Sequence, residues 1–141
     1  MQKKRWDLVI SLGLLLGLVL ACGATTANIS SLKISTDEDG KNEATTFKPG
    51  DKVYSVTQVS NNGGGTVQIK GRILYDEGEK AGTVLQGSEK TLDVEGDKTA
   101  FFWIKLPESG FANGRYKTEV SMIYGGEQKD QKTATFEVSG Y

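Results

Sequence analysis

Three stretches of alternating apolar and polar residues constrain this chain more than any other feature. In TVQIKGRILYD (66–76), Val67, Ile69, Ile73 and Tyr75 share one face, and Gln68, Lys70 and Arg72 take the other. In RYKTEVSMIY (115–124), Tyr116, Val120, Met122 and Tyr124 lie opposite Arg115, Lys117 and Glu119. In KTATFEV (132–138), Ala134, Phe136 and Val138 oppose Thr133, Thr135 and Glu137. A period of two is the mark of a strand with one buried face. Further strands are expected at 29–36, 44–47, 52–60, 90–94 and 98–106. No segment after residue 22 carries a helical stripe. Short strands at this spacing, punctuated by most of the 18 glycines, predict an all-β chain folded as an antiparallel β-sandwich.

At 141 residues the chain has room for one ordinary domain, and its 37% hydrophobic content suits a globular one. No basic stripe dominates any segment, so nucleic acid is not an expected partner. Histidine is absent. Ser-His-Asp and Cys-His catalysis both need an imidazole to take the proton, and a zinc site cannot be built from one cysteine alone. An enzyme would have to work with carboxylates, lysine or tyrosine, so no catalytic residue, metal or cofactor is expected.

The single cysteine has a different setting. MQKKRWD is followed by the apolar run LVISLGLLLGLVLA and then Cys22. A basic start and an apolar core of this length form a secretory signal pattern. The run from residue 8 to 21 is 14 residues, short of the roughly 20 that a membrane-crossing helix needs. Its end, Val19-Leu20-Ala21-Cys22, resembles the lipobox of bacterial lipoprotein precursors. The resemblance implies that residues 1–21 are a signal peptide cut before Cys22, that the Cys22 thiol carries a diacylglyceryl group, and that the freed amine is open to acylation. Removing residues 1–21 takes away Lys3, Lys4, Arg5 and Asp7, which changes the net charge from -1 to -3. Gly23, where an Asp would favour inner-membrane retention, implies outer-membrane sorting in a host with two membranes. The competing reading is an ordinary signal or uncleaved anchor with Cys22 incidental; 21–27 offers positions for an ordinary cut.

Residues 22–28 are read as a lipidated tether and 29–141 as the domain. About six linker residues reach ~20 Å at most, so the domain is expected close to the lipid surface. The mature part resembles the immunoglobulin-like β-sandwich domains of bacterial secreted proteins and lipoproteins, on FKPGDKVY (47–54), NGRYKTEV (113–120) and TATFEV (133–138). Within that resemblance Tyr116, just after a turn, matches the tyrosine corner, in which the hydroxyl ties a loop to its strand. The inter-sheet disulfide and strand-C tryptophan of antibody domains are missing.

Four features invite a functional reading. In STDEDGKNE (35–43), Asp37, Asp39 and Gly40 fall at EF-hand positions three, five and six, but Ser35 and Thr46 stand where the first and last carboxylates belong. Weak calcium binding at Asp37 and Asp39 is the sharper reading; a hairpin turned by Asp39-Gly40 between flanking strands is the simpler one. NNGGG (61–65) lacks the Lys and Ser/Thr of a phosphate loop and is expected to join two strands, the alternative being a partner-contacting loop. In AFFWIKLP (100–107), either register leaves apolar side chains on both faces of one strand. With Ala100, Phe102, Ile104 and Leu106 inward, Phe101 and Trp103 point out. Cover from the 77–97 connection is expected, the alternative being an exposed aromatic patch that binds a partner. Asp76, Glu77 and Glu79 sit in one turn and read as a solvated loop before a hydrolase pair.

The resulting expectation is a non-catalytic envelope protein, lipid-anchored on the extracytoplasmic side of a membrane, which binds or scaffolds another envelope component. A small-ligand module for a glycan or calcium is the alternative, and a carboxylate-dependent hydrolase ranks below both.

Overall fold

In the computed structural model, residues 25–141 are described; the signal-like segment 1–21 and Cys22 lie outside the described residues. The described chain is all-β. Its strands are β1 (Asn28–Ser35), β2 (Thr46–Phe47), β3 (Lys52–Ser60), β4 (Thr66–Tyr75), β5 (Lys90–Glu95), β6 (Lys98–Lys105), β7 (Gly114–Tyr124) and β8 (Glu127–Val138). They make a three-stranded sheet ordered β1-β3-β6 and a five-stranded sheet ordered β2-β8-β7-β4-β5. Each of the three alternating stretches forms a single strand, the first ending one residue early at Tyr75, with its apolar face turned to the core. Val67, Ile69, Val120 and Met122 are fully buried, and so, within a few percent, are Ile73, Tyr116, Phe136 and Val138.

Two expectations about pairing are corrected. The sheets are not wholly antiparallel, because β2 pairs in parallel with the end of β8, Phe47 opposite Val138. The segments flanking Asp39-Gly40 do not form a hairpin of paired strands. β1 pairs with β3, while β2 belongs to the other sheet. Between them the ladder is reduced to a single bridge, Ser35 to Glu43, with the Ala44 N–H donating to the Ile34 carbonyl (3.1 Å) and the Thr36 N–H to the Asn42 carbonyl (3.0 Å). The reason is Phe47. Its ring is fully buried and meets Phe136 edge-on at 5.7 Å, so the chain must cross to the five-stranded sheet to bury it. β1 is shifted by one residue from expectation, starting at Asn28 with Ala27 already buried, and β8 runs longer than expected, starting at Glu127.

The core falls into two apolar clusters. One gathers Ile29, Val67, Ile69, Phe102, Val120 and Met122. The other gathers Phe47, Val53, Leu106, Tyr116, Phe136 and Val138. Between the sheets the buried hydroxyls of Ser55 on β3 and Thr118 on β7 share a hydrogen bond of 2.9 Å. Satisfying both hydroxyls at once is what lets two polar residues sit in the core.

The register also fixes which loops share an end. Asn28 pairs with Ser60, Val59 with Lys98, and Thr66 with Glu95. Residues 25–28, the 61–65 loop and the β5–β6 turn therefore lie together. The NNGGG segment is a strand connection there. The Asn61 backbone N–H donates to Asp97 Oδ1 at 2.6 Å, and its side-chain amide donates to the Gly65 carbonyl at 3.0 Å.

Candidate binding surface

β6 takes the register with Ala100 and Phe102 buried, Ile104 half-buried and Leu106, just past the strand, fully buried. Phe101 and Trp103 consequently point out from the three-stranded sheet, 38% and 49% exposed. Tyr54, opposite Trp103 on β3, lies between them, its ring 6.1 Å from Phe101 and 6.5 Å from Trp103. The Lys52 ammonium sits 5.1 Å from the Trp103 ring centroid, a cation–π contact that covers part of one indole face.

The 77–97 connection does not cover these rings, contrary to expectation. The outer face receives partial cover from a different segment, the turn that begins after β1. Gly40, at φ 70°, lies so close to Val56 that a Cβ there would meet Val56 Cγ1 at 3.3 Å. Val56 is 3% exposed, whereas Phe101 beside it remains open. Trp103, two residues further along β6, is 49% exposed.

The 77–97 connection and β5 instead bound a groove of about 870 Å³ on the side of the sandwich where β5 and β6 face each other. Each is the edge strand of its own sheet. Leu85, Leu92, Phe102, Ile104 and Phe111 give the groove an apolar lining, and Lys90, Lys98 and Lys105 contribute cations against one acid, Asp93. Among the described residues the exposed large hydrophobics are Leu92, Phe101 and Trp103, and all three line this groove. An apolar concavity with a few charged groups at its margin is the form most binding sites take.

The other candidate residues are engaged elsewhere. The Asp37 carboxylate accepts the backbone N–H groups of Lys41 (3.0 Å) and Asn42 (2.7 Å), and Ser35 Oγ accepts the Asp37 N–H (3.1 Å). The Lys41 N–H bond is the main cause of a pKa below the usual Asp value. Asp39 pairs with Lys41 at 3.1 Å. The two carboxylates thus serve their own turn, and no group of three or more metal-ligating side chains occurs among the described residues. In the acidic turn, Asp76 accepts from Arg115 at 2.7 Å, and Glu77 Oε1 accepts the Arg115 backbone N–H at 3.0 Å. These contacts brace β7 against the loop.

Tyr116 does what its resemblance implied: its hydroxyl donates to the Ala112 carbonyl four residues upstream, at 2.8 Å. Burial, with smaller contributions from Tyr75 and Tyr141, pushes its pKa up to about 12. Sequence reading missed the contribution of β5. Alternation places Leu92 on the same side as Val94, but nothing local says that the neighbouring edge of β6 leaves Leu92 uncovered.

The geometry defines a class, an all-β two-sheet sandwich with an open groove between its edge strands. No family model and no curated protein matches the chain. Solved structures do share the fold. The Pseudomonas fluorescens alkylpurine DNA glycosylase AlkC, bound to DNA containing an abasic site analog, matches with TM-score 0.52 at 13% identity, covering 83% of this chain and 31% of that one. A putative beta-galactosidase from Bacteroides fragilis matches with TM-score 0.52 at 18% identity, covering 77% of this chain and 17% of that one. The beta-glucosidase from Listeria innocua matches with TM-score 0.50 at 12% identity, covering 85% and 16%. The chain thus spans a third or less of each of these proteins, and the likeness is one of fold.

Proposed function

We propose that the chain is a non-catalytic, lipid-anchored envelope module that binds or scaffolds another envelope component through the β5–β6 side of an immunoglobulin-like sandwich. The observation that carries this reading is the gathering of Leu92, Phe101 and Trp103 at one groove. Apolar and aromatic groups left open together, beside cations, are what a protein partner can bury.

Two details support the immunoglobulin-like assignment. Tyr116 forms the corner hydrogen bond. In domains with the inter-sheet disulfide, the second cysteine follows that tyrosine by two residues. Here that position is Thr118, bonded across the sheets to Ser55.

The anchoring part of the proposal rests on Val19–Cys22 and on where the chain enters the fold. Residues 25–28 enter beside the 61–65 loop and the β5–β6 turn. A lipid at Cys22 places that end against the membrane and sets the groove running away from it, open to partners in the same envelope layer. Replacing Cys22 by Ala is expected to move the protein out of the membrane fraction; an unchanged distribution contradicts lipidation there.

A photo-crosslinking residue at Trp103 in intact cells tests the binding face. A discrete adduct with an envelope protein is the expected product, and purely intramolecular adducts contradict the proposal. A second reading, a glycan-binding accessory module, is favoured only by the Tyr54, Phe101 and Trp103 row. Removal of residues 1–21 would leave Trp103 as the sole tryptophan, so its fluorescence during titration with a glycan panel reads that alternative directly.

A further inference from the structure

We infer that the free edge of β6 receives an extended, acidic polypeptide segment of the partner as an added strand; this rests on the binding face proposed above. Among the described residues, β6 is hydrogen-bonded to β3 alone, and β5 to β4 alone. Each strand therefore presents backbone N–H and C=O groups on its outer side. Edge strands are usually blunted by proline, inward charge, bulges or a covering loop. Between Lys98 and Lys105, β6 reads TAFFWI, with none of these. Six residues span ~20 Å, the length of an ordinary strand.

The flanks of that edge select the occupant. A second copy pairing antiparallel through β6 about a two-fold axis would bring its own Lys98 and Lys105 to an edge already flanked by those two cations, and like charges brought together are destabilising. An acidic strand meets the same two lysines favourably, with Lys90 adding a third cation to the groove against Asp93. Its alternate side chains fall toward Leu85, Leu92 and Phe111 on one face, and toward solvent beside Trp103 on the other. Main-chain pairing supplies affinity and this alternation supplies selectivity, as in other strand-addition complexes.

The test uses detergent-solubilised full-length protein and fluorescein-labelled eight-residue peptides, alternating glutamate with valine or lysine with valine, read by anisotropy. The acidic peptide is expected to bind at least tenfold more tightly than the basic one, and to weaken severalfold as salt rises from 50 to 300 mM, roughly one Debye length shortening from ~14 to ~6 Å. Lys98→Gln combined with Lys105→Gln, two exposed positions, is expected to weaken it at least fivefold. N-methylation of one alternate set of peptide amides is expected to abolish binding, while methylation of the other set leaves it. Equal binding of the two peptides, or equal effects of the two methylation patterns, overturns strand addition. If acidic peptides fail to bind while crosslinking from Trp103 still captures an envelope protein, strand addition is wrong and the binding face stands. If both fail, both are wrong.

Discussion

Gly71 shows how one missing side chain shapes the core. It lies in β4 facing the other sheet, and a Cβ there would meet the Phe102 ring at 2.6 Å. The ring of an edge-strand residue thus occupies the space a larger β4 side chain would need. Gly71→Ala is expected to push Phe102 outward and to destabilise the fold by about 1–3 kcal/mol, read by denaturant unfolding. At the inter-sheet hydroxyl pair, Ser55→Ala leaves the Thr118 hydroxyl buried without its partner, at a cost of about 1–3 kcal/mol. Adding Thr118→Val is expected to recover most of that loss, because both polar groups are then gone. A double mutant no more stable than Ser55→Ala would show that the pair is not a coupled unit.

Tyr116 carries a pH prediction at the same scale. Its native pKa, about 12, lies above the unfolded value of 10.0, so the native state holds a proton that the unfolded state releases between them. Stability from this group is complete below pH 10 and declines as pH rises through about 12. Tyr116→Phe is expected to lower stability at neutral pH by about 1 kcal/mol through loss of the bond to Ala112, and to flatten much of the alkaline decline. Some decline remains, because burial also raises the Tyr141 pKa. Urea midpoints between pH 9 and 12.5 measure both effects.

At the scale of elements, β6 combines a buried face with an open one. Trp103→Ala is expected to change stability by no more than about 0.5 kcal/mol, since the ring is half exposed, yet to abolish capture of the partner by a photo-crosslinking residue placed at Phe101. A large fall in unfolding midpoint would instead make Trp103 a structural residue. Strand positions were legible in the sequence because alternation is a local signal: β3 was placed at its observed bounds, and β4 and β7 within one residue. Pairing was less legible. That β2 leaves β1 for the far sheet depends on the pocket beside Phe136, 89 residues beyond Phe47 in the chain. The outward register of Phe101 and Trp103 was readable from AFFWIKLP. Their exposure was not, because it depends on which loop crosses the sheet: Gly40 lies against Val56, which is buried, while Phe101 and Trp103 stay open.

At the scale of the molecule, the three-stranded sheet ends at β6 and the five-stranded sheet at β5, with no strand among the described residues bridging them. The two edges, the apolar lining and the lysines are properties of that arrangement and of no single segment. The entry of the chain beside the β5–β6 turn gives the groove a direction relative to the proposed Cys22 anchor. The most direct measurement compares photo-crosslinking in intact cells from two positions, Trp103 and Thr135, the latter exposed on β8 in the other sheet. A discrete envelope-protein adduct from position 103, absent from position 135 and lost in the Cys22→Ala background, is the predicted result. The same adducts from both positions, or only intramolecular products from position 103, would contradict a binding role for the β5–β6 face.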